Sequence, residues 1–110
     1  MKKLLGLLLL TLSLNTFAGS QVGKVESLVV RASDGLIYFT LKDGALSGRP
    51  ACATIGYWMI KDENSKVGNQ QYSMILSAHA AGKRVQIVGM NTCTRWRDGE
   101  DVNSITLLDD

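Results

Sequence analysis

"NQQYSMILSAHAAGKRVQIVGM", Asn69 to Met90, is the stretch whose reading decides the fold. Tyr72, Ile75, Leu76 and His79 fall at i, i+3, i+4 and i+7, which is the apolar stripe of a helix. Met74, Ala78 and Ala81 form a second stripe beside it. Asn69 is a candidate N-cap, and Gly82 stands where a helix ends in a left-handed C′ residue. The expected helix therefore runs from about Asn69 to Ala81. "KRVQIVGM", Lys83 to Met90, reads as a strand with Val85 and Ile87 toward the core. Val88 and Met90 make its other face apolar as well.

Upstream, three further strands are expected. "KVESLVVR", Lys24 to Arg31, is rich in β-branched residues and is broken by "ASDG". "LIYFTLK", Leu36 to Lys42, would place Ile37, Phe39 and Leu41 on one face and Tyr38 and Thr40 on the other. These two runs read as a hairpin. "ACATIGYWMI", Ala51 to Ile60, is the third strand, bent at Gly56. Tyr57 and Trp58 alternate in direction there, so one of them points outward. "VNSITLL", Val102 to Leu108, closes the series. Three strands, a helix and two strands make a mainly β chain with the element order of a five-stranded OB-like barrel, its helix between strands 3 and 4. A five-stranded sheet covered by one helix is the competing arrangement.

The chain's start reads as a secretory signal. Lys2 and Lys3 precede the apolar run "LLGLLLLTLSL", Leu4 to Leu14, which is short for a membrane span. Thr16 and Ala18 suit the −3 and −1 positions of a cleavage site. The expectation is a signal peptide over 1–18, a single domain over 19–110, and a secreted or periplasmic destination with no membrane span after processing. The full chain has 12 basic and 10 acidic residues. Without Lys2 and Lys3 the remainder is balanced at ten of each. A phosphate-backbone binder usually carries a clear basic excess, so nucleic acid is not expected.

Export would put Cys52 and Cys93, the only cysteines, in an oxidising compartment. One pair allows one intramolecular connectivity, and free thiols or a catalytic cysteine are the alternatives. A bond closing this loop is worth on the order of 4 kcal/mol in the chain-entropy treatment.

A family resemblance rests on "RPACAT" before "YW", then "YSMILSAHAAGKRVQIVG", "TCTRW" and "EDVNSI". Together these are similar to the small secreted proteins related to the B subunit of subtilase cytotoxin, and more distantly to pertussis-like toxin binding subunits. The resemblance covers about Arg49 to Ile105. It implies an OB-type barrel with a disulfide. In the toxins proper it implies a ring of five subunits that binds cell-surface glycans and carries a toxic A subunit. The sugar pocket of such subunits is centred on a serine of the first strand. Ser27 is the candidate here, and a one-residue slip would turn it to the opposite face.

The chemical candidates narrow quickly. His79 is the only histidine and lies on the helix's apolar stripe, so no Ser/His/Asp arrangement is indicated and no enzyme is expected. Asp98, Glu100 and Asp101 do not follow calcium-loop spacing, and zinc would need more His or Cys, so neither metal nor cofactor is expected. Trp96 with Arg95 and Arg97 is the group of most interest, because an indole stacks on sugar rings and a guanidinium binds carboxylates. Tyr38 and Trp58 are further aromatic candidates. The expected reading of the loop is the blander one, in which Trp96 packs over the disulfide and the barrel end while Arg95 and Arg97 pair with Asp98, Glu100 or Asp101; a ligand surface is the alternative. The functional expectation is a non-enzymatic module for glycans. Its rival is a small envelope protein that acts through protein contacts only. The breadth of apolar surface on the helix and fourth strand predicts self-association.

Overall fold

The computed structural model describes residues 18–109; the expected signal segment lies outside them except for Ala18. The elements are β1 (Ser20–Val30), β2 (Ile37–Leu41), β3 (Trp58–Met59), α1 (Lys66–Ala81), β4 (Arg84–Gly89) and β5 (Glu100–Leu107). They form a closed barrel in the order β1-β2-β3-β5-β4. Only β3 and β5 are parallel; the other neighbours are antiparallel. Among the described residues the chain is thus mainly β, with one helix, between β3 and β4, and the Cys52–Cys93 disulfide in place, Cα atoms 6.2 Å apart.

Closure depends on β1. It starts four residues before the expected Lys24, because its first half, Ser20 to Lys24, pairs with β4. Its second half, Val25 to Val30, pairs with β2. The register shifts between Val25 and Ser27, and such a bulge bends one strand so that it can serve both neighbours. Barrel closure leaves no open sheet edge.

The third strand is far shorter than the expected Ala51 to Ile60. Two features hold its first part out of the sheet. Cys52 is tied to Cys93, and Arg49 takes the carbonyls of Ile55 and Tyr57 at 2.8 Å each. Those oxygens are then engaged off the ladder, and only Trp58 and Met59 pair as strand.

The helix begins earlier than expected. Ser65, not Asn69, is the N-cap, and its hydroxyl accepts from the Gly68 N–H at 2.9 Å. Asp62 fixes that turn, its Oδ1 accepting from the Asn64 N–H at 3.0 Å and its carbonyl from the Ser65 hydroxyl at 2.8 Å. Gly82 ends the helix as expected, with φ 66°. The buried face is Gly68, Gln71, Ile75 and Ala78, rotated from the expected stripe. Leu76 is 45% exposed, and His79 stands exposed at the rim, its Nδ1 donating to the Val25 carbonyl at 3.2 Å.

Ile37, Phe39 and Leu41 point into the core, with Tyr38 and Thr40 on the other face. Val25, Trp58, Ile60, Val85, Ile87 and Val102 complete the barrel interior, and Ile75 and Ala78 cap it from the helix. Val88 is half-buried and Met90 is exposed on the outer side of the fourth strand. Among the described residues no helix is long and apolar enough to cross a membrane.

Candidate binding cleft

The segment "NTCTRWRDGED", Asn91 to Asp101, links β4 to β5, and a buried carboxylate shapes it. Asp101 is fully enclosed. Its Oδ2 accepts from the Thr92 hydroxyl at 2.6 Å, the Thr94 hydroxyl at 2.7 Å and the Thr94 N–H at 2.9 Å. Its Oδ1 accepts from the Arg95 N–H at 3.1 Å. Burial by itself would raise this carboxyl's pKa, but the donors from Thr92, Thr94 and Arg95 together leave it lowered. The Asp101 N–H also returns to the Thr92 carbonyl at 2.8 Å. The loop is therefore folded around one anion, and Trp96 follows directly after the last of its donors, Arg95.

Trp96 meets residues from three other elements. Arg31, Leu36, Tyr38, Tyr57, Met59 and Trp96 line a cleft of about 180 Å³. Arg31 follows β1, Leu36 and Tyr38 lie at β2, and Tyr57 and Met59 lie at β3. The cleft thus spans the β1–β2 turn, the β2–β3 face and the β4–β5 loop, the surface on which OB folds take oligonucleotides and oligosaccharides. The Tyr38 and Tyr57 rings meet edge to face, centroids 5.2 Å apart. The Arg31 guanidinium stands 4.7 Å from the Trp96 ring centroid, and that of Arg97 stands 5.7 Å away.

Acids frame this rim. Arg31 pairs with Asp34, and the resulting hydrogen bond is the main reason the Asp34 carboxyl is held down to about 2. The Tyr57 hydroxyl donates to Asp98. Partial burial, and then that bond, raise the Tyr57 phenol's pKa. Arg97 is exposed and forms no ion pair among the described residues.

Of the five aromatic and basic residues expected at a binding surface, the fold brings four to this region. Tyr38 and Trp96 line the cleft, and Arg97 lies against the Trp96 ring without lining the cleft itself. Arg95 is beside it but committed elsewhere. Its Nε and Nη2 reach the two Glu63 oxygens at 3.1 and 3.0 Å, and Nη2 also reaches the Asp34 carbonyl at 3.0 Å. That pairing replaces the expected one with Asp98, Glu100 or Asp101, because those acids are already taken by Tyr57, Arg49 and the loop itself. Trp58 is a correction. It is 0% exposed, its indole N–H donates to Gln21 Oε1 at 2.9 Å, and Arg49 stacks on it at 4.7 Å, so it belongs to the core. Its neighbour Tyr57 takes the outward position. Trp96 is half-buried rather than sealed into the barrel end. Ser27 is engaged with Thr40, hydroxyl to hydroxyl at 2.6 Å, on the outer face of the hairpin.

Arg31 escaped the sequence reading, which held Tyr57 only as the alternative to Trp58 for the outward position. Arg31 was only the last residue of a strand, and nothing local marks it as facing Trp96, 65 positions along the numbering. A wider, shallower hollow of about 640 Å³ lies on the outside of the helix's first half. Asn64, Lys66, Asn69, Gln70, Ser73 and Met74 line most of it, and it gathers no aromatic ring.

The barrel is similar to that of a toxin B-subunit. A solved structure, the cholera toxin-like B-subunit from Citrobacter freundii, matches with a TM-score of 0.54 and 10% identity. The match covers 82% of this chain and 85% of that one. At that identity the likeness is one of fold. No protein-family model and no curated protein matches the sequence.

Proposed function

We propose that the protein is an exported, non-enzymatic binding module that takes a carbohydrate in the cleft between the β1–β2 turn and the β4–β5 loop. One observation carries the reading: Trp96, Tyr38 and Tyr57, from three separate elements, converge on a single cleft that Arg31 also lines, with Arg97 against the Trp96 ring. Aromatic faces pack on sugar C–H groups, while guanidinium and carboxylate groups bond the hydroxyls. A sugar acid would add a carboxylate for Arg97, the exposed cation. Asp34, Glu63 and Asp98 surround the arginines, an arrangement that suits hydroxyl recognition and disfavours a phosphate backbone. The resemblance to toxin binding subunits points the same way. Export is supported by the signal-like start and by the disulfide.

Self-association belongs to the same proposal, with a ring of five as the arrangement the resemblance suggests. Its support is the exposed Leu76, Met90 and Leu107, with half-buried Val88 on the outer side of β4. A toxin A subunit is the partner that the same resemblance would add. Light scattering showing monomer alone at micromolar concentration counts against the ring.

The test is a glycan array on the exported protein, followed by Trp96→Ala on any glycan that binds. Losing a stacked ring should weaken binding by about 1–3 kcal/mol, or roughly 5- to 150-fold. Since Trp96 is half-buried, the melting temperature should fall only modestly. Unchanged glycan affinity would sink the cleft assignment. Protein-only capture with an empty array would favour an envelope interaction role.

A further inference from the structure

The most enclosed acid besides Asp101 has no part in the cleft. Glu100 is 0% exposed. Its Oε2 accepts from the backbone N–H groups of Gly19 at 3.0 Å and Asn91 at 2.9 Å. Its Oε1 has no hydrogen-bond partner among the described residues. The nearest cation is Arg49, whose Nε lies 3.5 Å away and is also buried without a hydrogen bond. Arg49 directs its other nitrogens to the Ile55 and Tyr57 carbonyls. A buried carboxylate oxygen left without a donor is costly, so the site is one donor short.

Backbone packing fixes what stands beside that oxygen. A Cβ on Gly19 would lie 2.3 Å from Glu100 Oε1, and one on Gly89 would lie 2.0 Å from Oε2. Side chains are thereby excluded on both sides of the carboxylate. The Gly19 carbonyl accepts from the Gly89 N–H at 2.8 Å, and Ser20 exchanges backbone bonds with Ser47 at 2.9 and 3.2 Å. The Gly19 nitrogen is held against Glu100 by the barrel itself. Gly19 is also the residue that follows Ala18, the expected cleavage position.

We propose that Glu100 is the seat of a processed N-terminus, paired with the α-ammonium of Gly19 once the Ala18–Gly19 bond is cut. A signal peptidase would hydrolyse that bond with one water. Ala18 leaves with the new carboxylate, and Gly19 keeps the amine, which takes up a proton at neutral pH. An amide nitrogen offers one N–H, and an ammonium offers three with a full charge. Oε2 keeps its bond, and a second N–H is available to Oε1. The charges then alternate as Arg49, Glu100 and ammonium. Removal of the leader thus completes the barrel's buried ion pairing. The inference rests on the export reading and is independent of the ligand.

The full precursor is expressed in an exporting bacterium and the product weighed intact. A mass beginning at Gly19 is expected; an uncleaved leader or another first residue overturns the proposal. Acylation at neutral pH, mapped by peptide mass spectrometry, then reads the α-amine. It should resist the reagent in the native protein and react in urea, whereas equal labelling in both overturns the seat. A second precursor carries two serines inserted between Ala18 and Gly19, which returns the Gly19 nitrogen to an amide. An open groove lined by Ala18, Gly89, Met90, Asn91 and Asn103 gives the longer chain room to leave. The insertion should lower the melting temperature in the Glu100 protein and leave it unchanged in Glu100→Gln. Additive effects, or no effect of the insertion with Glu100 present, overturn the pairing. Should Glu100→Gln not fold, the labelling and the insertion measured with Glu100 decide alone.

Discussion

Replacing Asp101 with Asn keeps the side chain's shape and removes the charge that folds the β4–β5 loop. Three donors meet at Oδ2 and one at Oδ1. An amide has one acceptor oxygen. If that oxygen takes the three-donor position, the amide NH2 faces the Arg95 N–H, donor against donor. The lost bond leaves a buried donor unpaired, at about 1–3 kcal/mol, and the three remaining bonds lose their charge assistance at roughly 0.5 kcal/mol each. The expected sum is about 3–4 kcal/mol, or roughly 15–25 °C in melting temperature for a domain of this size. The variant should also change its pH profile. Asp101 has a lowered pKa in the folded chain, so its contribution is present above the unfolded carboxyl pKa and lost as pH falls through the folded one. Wild type should therefore lose stability below about pH 4, and the part due to Asp101 should be missing from Asp101→Asn. Thermal unfolding at pH 7 and at a series of acid pH values, followed by Trp fluorescence, measures both. A loss under about 1 kcal/mol, or an acid profile identical to wild type, would refute the claim that one carboxylate organises the loop.

Other outcomes follow from the same contacts. Gly68→Ala should destabilise, reversing the usual helix gain of about 1 kcal/mol, because its Cβ would sit 1.9 Å from the Asp62 carbonyl; chemical unfolding of the variant reads the sign. Reducing Cys52–Cys93 should lower stability by on the order of 4 kcal/mol, checked by denaturant titration with and without reductant. Glu63→Gln should weaken the Arg95 clamp by about 1 kcal/mol, since both side chains are partly exposed, and a loss of unfolding free energy above about 3 kcal/mol in a denaturant titration would contradict that view.

The sequence by itself determined the element order, the inward face of β2, the Gly82 helix stop and the disulfide. These are local or combinatorial properties. Alternation of Ile37, Phe39 and Leu41 needs only a two-residue period, a left-handed stop needs only a glycine, and two cysteines have one way to pair. The β3 boundary was not legible, because Arg49 and the disulfide hold residues 50–57 out of the ladder through contacts distant in sequence. The helix start was misplaced because Ser65 draws its capping geometry from the turn at Asp62. The helix's buried face was rotated because burial follows the barrel mouth it plugs, which admits Gln71 toward the Asn103 carbonyl and leaves Leu76 outside.

The cleft shows the division most plainly. Trp96, Arg97 and Tyr38 were marked by residue type alone. Which aromatic of the Tyr57–Trp58 pair faces out depends on register, and a slip of one residue would exchange them. Only barrel closure decided that register, sending Trp58 to Gln21 in the core and Tyr57 to the rim. Closure likewise brought Arg31 over Trp96 and set the buried Glu100 against the Gly19 nitrogen. Chemistry-bearing residue types are written along the chain, but their convergence is a long-range property that exists once the strands have joined edge to edge.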